Sequence, residues 1–179
     1  MIANIDNDVS IKTLMINYVA VLAAIPFIAT LIGYSWFYGF LGFGGIGYAF
    51  ASAILTYIGD IIAVFVVGFV IWKLGPNFGT TTNQVRATRL AAYAFTPAFL
   101  IAILDIIPFI SFITILGLLY GLYILYLGLP ILLGTPRDRA LTYVIVTVVV
   151  TIVVYVVIGA IIGAITAALF LGLVGSSFF

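Results

Sequence analysis

Long apolar runs, broken by short polar or glycine-rich stretches, set the pattern of this chain. Five of them exceed the roughly 18 apolar residues that mark a candidate membrane-spanning helix. They run approximately over residues 13–34, 48–72, 85–104, 109–133 and 140–167. Between the first two lies SWFYGFLGFGGIG, whose glycines interrupt regular structure and whose aromatics suit a membrane–water boundary. KLGPNFGTTTNQVR separates the second from the third, and GTPRDR the fourth from the fifth. No stretch is long and polar enough for a separate soluble domain. The pattern predicts an all-α, polytopic integral membrane protein with five transmembrane helices, one domain over residues 1–179.

The fifth run contains VIVTVVVTIVVYVVI, a β-branched stretch that would favour a strand in water. In lipid an open strand leaves its backbone hydrogen bonds unmet at several kcal/mol each, so helix is expected. Pro26 and Pro97 fall mid-span and predict kinks, since each removes a backbone hydrogen bond.

Charge placement predicts the topology. The segment TPAFLIAILDIIPFISF holds one acid, Asp105, between Pro97 and Pro108. If residues 85–133 crossed once, the helix would exceed a hydrocarbon core of about 30 Å more than twofold. With a turn near Asp105 to Pro108, all six basic residues fall on one face: Lys12, Lys73, Arg86, Arg89, Arg137 and Arg139. Basic residues collect on the cytoplasmic side. The N-terminus is therefore expected inside, and Asp105 and the C-terminus outside. Asp6 and Asp8 stand where a secretory signal would carry basic residues, so the first run is read as a retained helix.

Composition narrows the chemistry. Hydrophobic residues make up 66% and charged residues 6%, too few to cover a soluble surface. A net charge of +1 offers no electrostatic basis for nucleic-acid binding. Cysteine and histidine are absent and the five acids are never adjacent, so no metal, cofactor or thiolate chemistry is expected. No nucleotide-binding loop, zinc-protease motif or serine triad occurs, and no enzymatic activity is expected. The expected partner is the lipid bilayer of the cell membrane, with other membrane proteins or a second copy as further candidates.

Asp60, in TYIGDIIAVFVV, lies about 18 Å above the inner interface on helical rise. An ionised carboxylate at such depth costs roughly 2.5–3.5 kcal/mol. Two readings stay open: a proton or cation site, or anchor of a polar network with Arg89, Tyr93 or Thr96; and a neutral acid bonded to a neighbouring hydroxyl for packing. Tyr120, Tyr123 and Tyr126 recur at steps of three among Gly117, Gly121 and Gly128, which predicts a buried helix-packing seam, with a substrate or lipid groove as the alternative. In the fifth run Tyr143, Thr147, Thr151, Tyr155, Gly159 and Gly163 recur every four residues, a ridge expected to pack inside the bundle, with packing against another copy as the alternative.

Several stretches together resemble the YIP family of Ypt/Rab-interacting membrane proteins, in its prokaryotic branch. They are LGPNFGTTTNQVRATRLAAYAFTP, including Tyr93 and Thr96-Pro97, then IIP at 106–108. The most specific is LYGLYILYLGLPILLGTPRDRALTY, with Tyr120, Gly121, Tyr123, Tyr126, Gly128, Pro130, Pro136 and Tyr143. The resemblance implies five transmembrane helices, a cytoplasmic N-terminus and an outward C-terminus. Eukaryotic relatives are linked to Rab-type GTPases and vesicle trafficking through a long cytosolic N-terminal region. Only a short stretch precedes Thr13 here, so GTPase binding is not expected. The functional expectation is a membrane-organising or scaffold role through helix packing and lipid or protein contacts. The alternative is a small transporter or an ion, proton or lipid conduit using Asp60.

Overall fold

A computed structural model describes residues 10–41, 45–80 and 83–175. Asp6, Asp8, Gly42–Gly44 and the C-terminal Phe179 lie outside the described residues. The elements are α1 (Ile11–Leu14), α2 (Ala20–Phe40), α3 (Gly45–Leu74), α4 (Gln84–Ile101), α5 (Ile115–Leu133) and α6 (Arg137–Gly175). A π-helical turn, Met15–Val19, joins α1 to α2 into one span. The described residues thus contain five helical segments long and apolar enough to cross a membrane: Ile11–Phe37, Ile46–Phe78, Gln84–Ile106, Phe109–Leu133 and Arg137–Ala168. The chain is an integral membrane protein. The β-branched run is helical throughout, as the unmet hydrogen bonds of a lone strand in lipid require.

Local chemistry sets the helix boundaries. Ser10 caps α1 by accepting from the Lys12 N–H at 3.3 Å, and Asn83 caps α4 by accepting from the Arg86 N–H at 2.9 Å. After α3 the chain tightens into a 3₁₀ turn, Gly75–Phe78, closed by Gly79 at φ 75°. Gly134, at φ 69°, ends α5 in the same left-handed conformation, which a side chain would strain. Pro26, Pro97 and Pro130 lie inside α2, α4 and α5, and none of them ends its helix.

The reversal expected near Asp105 is present. Beyond Ile101 the helix narrows to 3₁₀ geometry over Ala102–Ile106, Ile107 is extended, and a second 3₁₀ stretch covers Pro108–Thr114 before α5. Asp105 is only half-buried, and its Oδ1 accepts a hydrogen bond from the Thr114 hydroxyl at 3.1 Å. The turn folds back onto α2. The Trp36 indole donates to the Ile106 carbonyl at 2.9 Å, and Gly33 is buried against the Asp105 carbonyl.

Helix α3 is the hub, packed against α2, α4 and α6, while α5 lies mainly against α4. The core includes Val19, Val64, Ile71, Leu90, Phe95 and Leu129. At one end the turns after α3 and α5 are locked together. The Thr80 and Thr135 hydroxyls bond at 2.7 Å in a buried setting, and the Phe78 and Tyr143 rings stack at 4.5 Å. All six basic residues lie at that same end: Lys12 in α1, Lys73 at the close of α3, and the arginines in the opening turns of α4 and α6.

Candidate functional site

Glycine sets how closely the helices approach. On α5, a Cβ built at Gly117 would come within 2.8 Å of the Ala98 Cα and the Pro97 carbonyl oxygen. One at Gly121 would overlap the Ala94 carbonyl oxygen, and one at Gly128 would overlap the Leu90 Cδ1. On α3, Gly68 stands against Thr88, where an added Cβ would lie 2.7 Å from the threonine Cα. These contacts let α4 sit between α3 and α5 at near-backbone distance, the geometry small residues permit in membrane helices.

The tyrosines of α5 do not share that contact. Tyr120 is 57% exposed and Tyr123 55%, and Tyr126 is also exposed. The tyrosine seam expected to be buried is instead exposed. Steps of three rotate by about 60° against the helix face each time, so the tyrosines spread away from the glycine side. The Tyr120 and Tyr123 rings, 6.1 Å apart, meet each other on the outer surface. Pro130, half-buried, borders a cleft beside α6.

The ridge of α6 is buried only in its first half. Tyr143 and Thr147 are fully buried, and Thr151 and Tyr155 are half-buried. The Tyr143 hydroxyl donates to the Ile71 carbonyl, tying α6 to the end of α3. The Tyr155 ring stacks on Phe95 at 5.9 Å. Gly159 and Gly163 are exposed, with nothing within 4 Å of an added Cβ, contrary to the expected internal packing. A four-residue repeat drifts by about 40° per step on a 3.6-residue helix, so a row facing the core at Tyr143 has turned by about 160° at Gly159. The glycine that does serve α6 is Gly59 of α3, against Ile158 and Ile162.

Asp60 is half-buried on α3. Its electrostatic neighbours include Asp105, at the α4–α5 turn, and Tyr155 of α6. Of the three partners weighed for Asp60, which were Arg89, Tyr93 and Thr96, the last two meet Tyr18. Because Gly68 meets Thr88, Asp60 and Thr96 stand about level, two turns further along antiparallel helices. Their directions differ: the Thr96 hydroxyl bonds the Tyr18 hydroxyl at 2.8 Å and donates to the Ala92 carbonyl at 2.9 Å, while Tyr93 meets Tyr18 edge-on at 5.6 Å. Arg89, half-buried, has interactions of its own near the opposite end of α4 from Asp60. Tyr18 therefore holds the place at the α4 hydroxyls that the sequence suggested for Asp60. Its position in the first span gave no sequence signal for this.

Two clefts lie along the α5–α6 seam. The larger, about 350 Å³, is bounded by all of α3 to α6 and lined almost wholly by apolar side chains, with Thr151 and Tyr155 as its polar edge. The smaller, about 260 Å³, lies near the locked end between Tyr126, Pro130 and Ile131 of α5 and Arg137 and Ala140 of α6. Asp60 lines neither. Among the described residues no three acids, histidines or cysteines cluster in a metal-binding arrangement.

The model of one protein family, the Yip1 domain, matches residues 3–159. This range takes in the first four spans and α6 as far as Gly159. No curated protein and no solved structure matches the chain.

Proposed function

The chain belongs to the Yip1 domain family, and on that premise we propose that it is a non-enzymatic membrane-organising protein of the cell membrane, working through lateral contacts of its helices with lipid and other proteins. One observation carries the reading. Beyond Thr147, α6 meets its own bundle along one side only, and on the other Val149, Val153, Val157 and Ile161 are each more than half exposed. An apolar helix side left open at membrane depth is a surface for lateral contact. In its favour over a conduit, the two seam clefts leave Asp60 out, and a conduit through Asp60 needs a water-filled path to it.

The test has two arms. A photoreactive residue in place of Val153 or Val157 is expected to give discrete protein adducts in native membranes, whereas one at buried Val144 gives none. Lipid adducts alone at both outer positions would overturn the protein-contact part of the reading and leave only lipid contact. In the second arm, ion or proton flux in proteoliposomes should match that of empty liposomes; flux that Asp60→Asn abolishes would restore the conduit.

The same reading places the locked end in the cytoplasm and the Asp105 turn outside, on the one-sided cluster of basic residues. The native chain has no cysteine, so single cysteines report cleanly. A cysteine at position 105 should react with a membrane-impermeant maleimide on intact cells, and one at position 137 only after lysis. Labelling of both from the same side would refute the topology.

A further inference from the structure

The two clefts are stations on one seam. On α5, Leu118 and Leu122 line the larger and Tyr126 and Pro130 the smaller, and these four follow one another at i, i+4 spacing. On α6, Val148 and Ile152 line the larger cleft and Ala140 the smaller, again in one i, i+4 row through Val144. Residues so spaced are neighbours along one side of a helix. The helices run antiparallel, so both rows lead in the same direction, from the apolar groove toward the end that carries the basic residues.

From this arrangement we propose that the α5–α6 seam is a binding site for one anionic phospholipid, with an acyl chain in the apolar groove and the phosphate at Arg137. The proposal rests on the membrane-organising reading and names a ligand for it. Charge selects the occupant. Arg137 is exposed in the first turn of α6 and borders the smaller cleft, beside the Tyr126 phenol. It stands at the bundle end that gathers six basic residues against the single described acid Asp138. A guanidinium at headgroup level pairs with a phosphate oxygen by charge-assisted hydrogen bonds, and a phenol hydroxyl adds a donor. Apolar walls of about 350 Å³ at mid-membrane depth suit a hydrocarbon chain and offer almost nothing to a polar solute. A soluble phosphate would meet the arginine but gain nothing from the groove.

The experiment uses the full chain in vesicles of phosphatidylglycerol and phosphatidylcholine, followed by native mass spectrometry of the gently extracted protein. The wild type should retain one phosphatidylglycerol in preference to phosphatidylcholine. Arg137→Gln should reduce that preference about fivefold, the usual weight of one basic residue at an anionic surface. Lys73→Gln is the control: Lys73 lies at the same end but stacks over Trp72 at 4.8 Å and lines neither cleft. It should leave the preference unchanged. Val156→Trp, which fills the groove mouth from an exposed position, should lower retention of both lipids with the melting temperature unaltered. Equal effects of Arg137→Gln and Lys73→Gln would reduce the effect to general surface charge and overturn the site, as would a wild type that keeps no lipid or prefers phosphatidylcholine. Because the protein-adduct test probes the opposite side of α6, at Val153 and Val157, loss of the lipid site leaves that result standing.

Discussion

Gly121→Leu should lower the melting temperature in detergent sharply or prevent recovery of folded protein, while Gly159→Leu should leave it near the wild-type value. The two substitutions share the same change in side chain and the same gain in helix propensity, about 1 kcal/mol. Only the surroundings differ. At Gly121 the first added carbon already overlaps the Ala94 carbonyl oxygen, part of the backbone of α4, which cannot swing aside as a side chain does. The helices must separate, and forced overpacking typically costs about 1–3 kcal/mol or more. At Gly159 nothing lies within 4 Å. Thermal unfolding of both variants decides the matter, with Gly121→Ala as the milder form if the leucine variant does not fold. Equal melting temperatures for the two leucine variants would show that the α4–α5 contact is looser than described.

Tyr143→Ala should be the most damaging truncation at the locked end. Its ring is fully buried, stacks on Phe78 at 4.5 Å and carries the hydroxyl that donates to Ile71. Removing a buried aromatic ring costs about 3–5 kcal/mol through lost contacts and the cavity left behind. Tyr143→Phe keeps the ring and forfeits one hydrogen bond, a loss of about 1 kcal/mol. The alanine variant should also expose the turn after α3, read as faster proteolysis near Gly79. If the alanine and phenylalanine variants melt together, the ring is not what holds α6 to α3.

The helices of this bundle meet closely at small residues along α4, whereas at the locked end large rings and paired hydroxyls hold them. Thr80 and Thr135, Gly79 and Gly134, and the Phe78–Tyr143 stack together fasten one end of the bundle. The other end is held by the Trp36–Ile106 hydrogen bond and the approach of Gly33 to the Asp105 turn. Between them one side of the outer half of α6, at Val149, Val153, Val157 and Ile161, stands open, and the lateral contacts proposed above fall there.

Hydropathy by itself determined the number of spans, their approximate positions and the helical state of the β-branched run. It could do so because lipid leaves a crossing backbone no satisfied alternative except helix or closed barrel, whatever the local propensity. Charge counting located the reversal at Asp105, since one turn there brings every basic residue to one end. What the sequence did not contain was direction. The depth of Asp60 was readable from helical rise, yet which neighbour it faced depended on how α3 is rotated, and Thr96 at the same level turned to Tyr18 instead. Repeats of three and four suggest faces, but on a 3.6-residue helix the first leaves the glycine side at Tyr123 and the second leaves the core by Gly159. Lipid-facing and protein-facing positions are equally apolar in such a chain, so no contrast of polarity marks the buried face. Only the packing of α4 into the glycines of α3 and α5 decided it.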